Sequence, residues 1–340
     1  MSEVWDKRKS AGFVILIVGI IVLVLASIAL GAVNIPIKDV VKSIFNQPIE
    51  EEAFASIIWK IRMPRTLAAL LCGSALAIAG LILQVLFKNP LVDTYILGIA
   101  SGSSMAVALL ILAGIGLGFG VDTPILLMVF SFLGAMGVMA IVLMISKKIK
   151  STISLLVVGL MMGYVANAVT QVLIAFAEEQ AIGGYMVWTM GSYAGMTWTQ
   201  ILWMAAILVP SSLYCFMLGK KLNVMLLGEK YAQSMGLNIK GIRKQIIVIS
   251  SLLAAAVTAF AGPVSFIGLA VPHMTRLVFK TSDNRILIPA NFLSGAFLSL
   301  FCDFISRMII APAELPLGSV TAMIGAPIVI YLVMRRRSLV

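Results

Sequence analysis

The chain alternates long apolar segments with short polar ones over nearly its whole length. The apolar segments are continuous and about 17–25 residues long, which is the length of an α-helix that crosses a hydrocarbon core of about 30 Å. A membrane β-barrel would instead alternate apolar and polar residues along each strand. We place ten spans near residues 13–33, 64–86, 91–112, 124–145, 153–176, 198–218, 245–261, 264–280, 287–310 and 318–334. The pattern therefore predicts an all-α, polytopic membrane protein with about ten transmembrane helices in a single domain, residues 1–340.

Composition excludes a soluble protein. Hydrophobic residues make up 61% of the 340 positions and charged residues only 11%, and the mean hydropathy is +1.08. A soluble domain has about a quarter of its residues charged. The first apolar segment follows WDKRKS and is too long for a signal peptide, so we expect it to be the first span. The main solvent of this chain is therefore a lipid bilayer.

The net charge of +11 is explained by membrane orientation and does not call for a nucleic-acid partner. If the N-terminus is cytosolic, about 18 of the 25 basic residues fall in cytosolic segments, as the positive-inside rule requires. The outer segments then keep only Lys38, Lys42, Lys60, Arg62, Arg65 and Arg307. An even number of spans returns the C-terminus to the same side. We therefore predict that both termini are cytosolic.

Catalytic and ion-coupling chemistry is missing from the sequence. We find no paired carboxylates, no Ser-His-Asp set, no metal-ligand spacing and no phosphate-binding glycine loop. Of the acidic residues, only Asp93 and Asp303 fall within predicted spans. Arg307 is placed to pair with Asp303 one helical turn away. His273, the only histidine, is either a haem ligand or a polar residue at a helix end. We therefore predict no catalytic residue, metal site or cofactor on this chain, and an energy source on a partner.

The polar segment Leu226–Lys240, LLGEKYAQSMGLNIK, interrupts the apolar pattern between the sixth and seventh spans. The predicted orientation makes it cytosolic. Good helix formers stand between two glycines, and Ala232 and Gly236 are four residues apart on one helix face. Small residues on one face allow another surface to approach closely. The segment is either an ordinary solvated loop or a short helix that docks on a cytosolic motor subunit.

Three arginines depart from the positive-inside pattern. Arg62 and Arg65 flank Met63-Pro64 at the predicted outer end of the second span, and Arg307 lies at the outer end of the ninth. An arginine in mid-membrane costs at least about 2.5–3.5 kcal/mol, whereas one at a span end reaches the headgroups. These three residues therefore either contact lipid phosphates or have another role on the outer face.

The fifth predicted span carries further candidates. Its glycines at four-residue spacing favour close helix packing. Ser151 and Thr152 precede it and suit helix capping. Methionines in this span provide either ordinary core packing or an adaptable wall for a bulky ligand. The candidates for this region are Ser151, Thr152, Gly159, Met161, Met162 and Asn167.

Long segments of the chain resemble one family, the permease subunits of ATP-binding-cassette (ABC) importers for ferric siderophores, haem and vitamin B12. The similar segments are GEKYAQSMGLNI, IRMPRTLAALLCGSALAIAGLILQVLFKNPLVDTYILGIASGSSMA (residues 61–106), AGPVSFIGLAVPHMTRL and residues 311–333. The family also has ten spans. Two positions differ from its pattern: Asn238 stands where proline is frequent, and Ile153 where a small polar residue is frequent.

The resemblance implies a permease domain of the cytoplasmic membrane that imports a ferric siderophore, with haem or a corrinoid as the alternative. It implies no enzyme activity, since two cytosolic ATPase subunits would bind ATP and Mg²⁺. The other implied partners are a second copy or close paralogue and an extracytoplasmic binding protein, which would dock on Arg62, Arg65 and Arg307. Ser151 and Thr152 would form the inner gate, with Gly159, Met161, Met162 and Asn167 along the translocation path.

The resemblance gives the segment at about 226–240 the role of coupling the permease to the ATPase. The residues implied are Gly228, Glu229, Ala232, Gly236, Leu237 and Asn238. Two other classes of protein compete with this interpretation. A stand-alone secondary carrier would need ion ligands in its spans, and a membrane scaffold would leave the polar segment and the outer arginines without a role.

Overall fold

The computed structural model of the protein describes residues 7–45, 47–48, 51–114, 124–149 and 151–336, and its regular elements there are all helical. The helices are α1 Lys7–Ala29, α2 Ile37–Ile44, α3 Glu52–Ile57, α4 Met63–Phe87, α5 Ile99–Ile111, α6 Pro124–Ser146, α7 Thr152–Phe176, α8 Glu179–Thr189, α9 Trp198–Leu226, α10 Glu229–Ser234, α11 Ile239–Ala261, α12 Ile267–Phe279, α13 Asn284–Met308 and α14 Leu317–Arg336. One turn of π-helix, Ile58–Arg62, joins α3 to α4.

The helices account for every predicted span. Seven are long and apolar enough to cross a membrane: α1, α6, α7, α9, α11, α13 and the continuous helical run Glu52–Phe87. The other three predicted spans correspond to shorter apolar helices, Ile99–Ile111, Ile267–Phe279 and Leu317–Tyr331. The all-helical membrane fold is confirmed. The number ten and the cytosolic side of both termini stay predictions.

One predicted span begins later than expected. The sequence predicts a helix over 91–112, but α5 starts only at Ile99 and residues 90–98 form turns. Lys88 has the left-handed φ of 48° that ends α4, and Gly98 has a φ of 77° just before α5. Val92 and Leu97 are buried in this turn region. The segment is apolar because it packs into the core, which a hydropathy pattern cannot distinguish from a span.

The break between the seventh and eighth spans lies where the sequence predicts it. Gly262 has a φ of 73° and ends α11. Pro263 follows, and it lacks the N–H that would continue the helix. The two apolar segments therefore form separate helices, α11 and α12.

Helix α4 forms the centre of the bundle, and glycines allow its neighbours to approach. A Cβ atom on Gly73 would lie 2.2 Å from the carbonyl oxygen of Gly295 in α13, and one on Gly80 would lie 1.9 Å from that of Gly268 in α12. Nearly all of α4 is buried, whereas few residues of α1 are buried. Close backbone contacts thus hold the centre together, and α1 is left to contact lipid.

Gly80→Val is expected to destabilise the fold, because the new side chain meets the rigid backbone of α12. Overpacking of this kind costs about 1–3 kcal/mol. Gly137→Val is the matched control, since a Cβ on Gly137 in α6 meets no atom within 4 Å. Thermal unfolding in detergent, followed by size-exclusion chromatography, should show a lower transition temperature for Gly80→Val alone. Equal stability of the two variants would contradict the α4–α12 contact.

Candidate functional site

The predicted helix in the polar segment 226–240, named here the coupling segment, is present as α10. Gly228 with a φ of 115° precedes it, and Gly236 with a φ of 81° follows it. Both values are accessible mainly to glycine. The N–H of Leu237 donates to the carbonyl of Ala232 at 3.0 Å and closes the helix end. The two glycines therefore define the ends of a one-and-a-half-turn helix.

Asn238, which differs from the family pattern, has a local structural role. Its Oδ1 accepts a hydrogen bond from the N–H of Gly241 at 3.0 Å and caps α11. An N-cap of this kind satisfies a backbone donor that has no partner inside the helix. The substitution of proline by asparagine therefore keeps a defined start for the next span.

The Ala232 side of α10 is turned toward the bundle, and the role of Ala232 in coupling stays a prediction. Ala232 has an exposed fraction of 0% and packs against the chain itself. The polar residues Lys230, Gln233 and Ser234 of the segment are exposed. Its three most exposed large apolar side chains are Leu227 at 65%, Tyr231 at 54% and Met235 at 56%. We call these three residues the apolar patch. A small residue at position 232 allows α10 to lie close to its own bundle, and the apolar patch faces outward.

An ion pair that the sequence analysis missed fixes α10 to α11. Arg243 of α11 donates to Oε1 of Glu229 at 2.9 Å. Glu229 begins α10, where a carboxylate also favours the positive end of the helix dipole. Opposite charges 14 residues apart on either side of a turn were the available signal. The coupling segment is thus attached to a long span as well as to α9.

The C-terminal end of α9 is anchored to the start of α13 through Asn223. Asn223 donates to Asp283 Oδ1 at 2.6 Å and accepts from the backbone N–H of Asn284 at 2.7 Å. Hydrogen bonds from Arg285 lower the pKa of Asp283 to about 2. Asp283 is therefore ionised at any physiological pH, and this anchor is insensitive to pH.

Arg62 lies inside the protein. Its exposed fraction is only 6%, and its guanidinium donates to the backbone carbonyls of Ile28, Ala29 and Val33. These carbonyls stand at the end of α1, where they have no partner within the helix. Arg62 therefore ties the end of α1 to the start of α4.

Arg65 and Arg307 share one buried carboxylate. Arg65 Nε donates to Asp303 Oδ1 at 2.9 Å, and its two Nη atoms donate to Glu314 at 2.6 and 3.0 Å. Arg307 Nε lies 3.4 Å from Asp303 Oδ2, which confirms the predicted pair, and its Nη atoms donate to Ser27. We call Arg65, Asp303, Arg307 and Glu314 the outer ion cluster. Docking by these arginines stays a prediction, because each already has partners within the chain.

Ser151 caps the start of α7, in the connection between α6 and α7. Its Oγ accepts from the N–H of Ser154 at 3.4 Å at the start of α7. Thr152 begins α7, and its side chain lies outside the described residues. Capping and gating are compatible at these positions, so the inner gate stays a prediction.

A cavity of about 200 Å³ lies beside α7. Its lining consists of Tyr95, Ile96, Gly98, Ser101, Gly159, Leu160, Gly163, Tyr164 and Asn167. The candidates Gly159 and Asn167 thus meet, whereas Met161 is exposed beside them and Met162 packs against the core. A Cβ on Gly159 would lie 2.8 Å from the carbonyl of Ile96, which confirms the close packing predicted from glycine spacing.

His273 is buried within α12 and is not among the residues that line this cavity. Within the described ranges, no group of three or more His, Cys, Asp or Glu residues is arranged to hold a metal ion. His273 lies in the middle of α12 and not, as the sequence analysis expected, at a helix end, and its burial favours a polar residue of the core over a ligand of the cargo.

The comparisons with known proteins cover most of the chain. The model of the FecCD transport family matches residues 19–335. The vitamin B12 import system permease of Klebsiella pneumoniae is 38% identical over 280 residues, which cover 82% of this chain and 83% of that one. The haemin transport system permease of Yersinia pestis is 31% identical over 98% of this chain and 97% of its own.

The three-dimensional comparison agrees with the sequence comparisons. A solved metal-chelate type ABC transporter in an inward-facing conformation superposes with a TM-score of 0.84 at 28% identity, covering 94% of this chain and 97% of that one. The resemblance inferred from the sequence motifs is confirmed. The chain therefore belongs to the FecCD transport family and is a multispanning protein of the cytoplasmic membrane.

Proposed function

We propose that this chain is the transmembrane permease subunit of an ABC importer. It pairs with a second copy or a close paralogue, and two cytosolic ATPase subunits bind ATP and Mg²⁺ and drive its alternating access. A binding protein delivers the cargo from outside. The chain itself binds no cofactor and performs no catalysis.

The observation that carries this proposal is the construction of α10. A helix bounded by two glycines, held to α11 by the Glu229–Arg243 ion pair, presents an apolar patch to the surroundings. Exposed apolar side chains on a polar segment are expected to be covered by a partner. A rigid attachment to α11 would pass a movement of that partner into the bundle.

The buried charges argue against a stand-alone carrier. Ion-coupled carriers use acidic residues within spans to bind the coupling ion. Asp303 is instead held between Arg65 and Arg307, so its charge is already balanced. Asp93, the other acidic residue of the predicted spans, lies in the turn region before α5 and not within a helix. Energy from a partner ATPase accounts for a bundle in which Asp303 is committed to arginines.

We propose that the cargo is a bulky organic metal complex: a ferric siderophore, haem or a corrinoid. The similarity to permeases named for vitamin B12 and haemin supports the class as a whole. It does not favour the ferric siderophore within that class. The cavity beside α7 contributes hydroxyl and amide groups and no charged side chain, so it suits neutral polar groups of such a complex.

Reconstitution in proteoliposomes tests the proposal. We expect accumulation of one of ferric siderophore, haemin or cyanocobalamin only when the permease, its ATPase, its binding protein and MgATP are all present. Vesicles with the permease alone are expected to accumulate none of the three under a proton or sodium gradient. Gradient-driven accumulation by the permease alone would contradict the proposal. A non-hydrolysable ATP analogue is the control for nucleotide binding without hydrolysis.

A further inference from the structure

Within the outer ion cluster, Arg65 contacts two carboxylates that differ in exposure, Asp303 and Glu314. The guanidinium of Arg65 has two edges with different partners. Its Nε edge is held by Asp303, whose side chain is 1% exposed, and its Nη edge is held by Glu314, whose side chain is 41% exposed. The first contact is buried, and the second is partly buried: it reaches the surface only through Glu314, since the Arg65 side chain is 8% exposed.

The buried contact fixes the geometry of the surface contact. Because Asp303 retains the Nε edge at 2.9 Å, the two Nη donors keep their direction whether or not Glu314 is present. Two parallel N–H donors are the fork that binds any carboxylate in bidentate fashion. Exchange of Glu314 for another carboxylate would therefore keep the number of hydrogen bonds to Arg65.

The other two predicted docking arginines lack such a contact. Arg62 is bound to backbone carbonyls of the chain, and Arg307 is bound to Asp303 and Ser27. Arg65 alone among the three has an exposed side chain as the partner of its outward edge. Glu314 stands in the connection between α13 and α14, outside any helix.

We propose that Glu314 is an internal competitor for the carboxylate of the docking binding protein. In the free permease Glu314 occupies the outward edge of Arg65. On docking, an acidic side chain of the binding protein takes its place, and the connection 309–316 is released from α4. This inference rests on the proposed function and names Glu314 as a residue that sets the affinity of the outer partner.

The test is the affinity of the binding protein for the permease–ATPase complex in nanodiscs, using the binding protein that supports uptake. Glu314→Gln should tighten binding about two- to fivefold, the range of an exposed ion pair, and the gain should shrink at high salt. Glu52→Gln, which removes an exposed carboxylate from α3, is the matched control and should leave the affinity unchanged. Unchanged or weaker binding by Glu314→Gln would overturn the proposal.

A second variant separates this inference from the proposed docking site. If Arg65→Gln weakens binding and Glu314→Gln does not tighten it, docking on Arg65 stands and the competition fails. If neither variant changes the affinity, the docking site itself is misplaced. Glu314→Asp keeps the charge and should remain close to the unmodified protein.

A spin label reports the release of the connection directly. Ala313→Cys provides an exposed attachment point, and the three native cysteines are all buried. The label should become more mobile when the binding protein docks, and it should be mobile without docking in the Glu314→Gln background. A label that stays immobile in both cases would overturn the proposed exchange.

Discussion

Asp303→Ala is expected to destabilise the protein by about 3–5 kcal/mol, the cost of leaving buried charges without their partner. Asp303 is 1% exposed and contacts both Arg65 and Arg307. Its removal leaves Arg307 without its ion-pair partner and Arg65 with Glu314 alone, and the two guanidinium groups carry like charge. Thermal unfolding in detergent should show a large drop in transition temperature. The purified variant should also give a smaller monodisperse fraction in size-exclusion chromatography.

Glu179→Ala is the control for this variant, because it removes an exposed carboxylate at the start of α8. Its stability should stay within about 0.5 kcal/mol of the unmodified protein. The triple change Asp303→Leu, Arg65→Met, Arg307→Met should recover much of the loss, since buried ion pairs are replaced by apolar residues at little cost. A stable Asp303→Ala variant would show that solvent or lipid headgroups reach these arginines.

Features encoded by continuous segments could be predicted from the sequence. Apolar length gives the spans, because a helix must be about 20 residues long to cross the bilayer. Glycine and proline at 262–263 give the break between α11 and α12. Two glycines that bound good helix formers give α10. Each of these features is determined by neighbouring residues in the sequence, so the residues that cause it are also the residues that reveal it.

Features that depend on distant residues could not be predicted. Glu314 follows Arg65 by 249 positions, and nothing in either neighbourhood indicates the other. The arginines therefore seemed available for an outside partner, whereas the fold supplies them with carboxylates and carbonyls. Ala232 shows the same limit at short range. A small residue permits close approach, but only the surrounding helices decide whether the neighbour is a partner or the chain itself.

The apolar patch changes what a partner ATPase must offer. A face of small residues would admit a backbone or a flat surface, whereas exposed Tyr231, Met235 and Leu227 need an apolar groove that takes up whole side chains. A tyrosine that is inserted into a pocket and desolvated is among the residues that supply most of the binding energy of an interface. The burial of Ala232 thus gives the coupling hypothesis a chemically different contact to test.

Tyr231→Asp combined with Met235→Asp is expected to abolish ATP-driven uptake and to weaken capture of the ATPase by at least about 30-fold, the loss of one interfacial hot spot. Gln233→Asp, an exposed position on the same helix, is the matched control and should transport normally. Because Tyr231 lies on the exposed side of α10 and Met235 is exposed directly after it, the double variant should fold and insert normally, which thermal unfolding of the purified permease checks. Unimpaired uptake by a correctly inserted double variant would show that the coupling contact does not lie on α10. Loss of uptake in Gln233→Asp as well would show that the added charge, and not the loss of the apolar patch, abolishes transport.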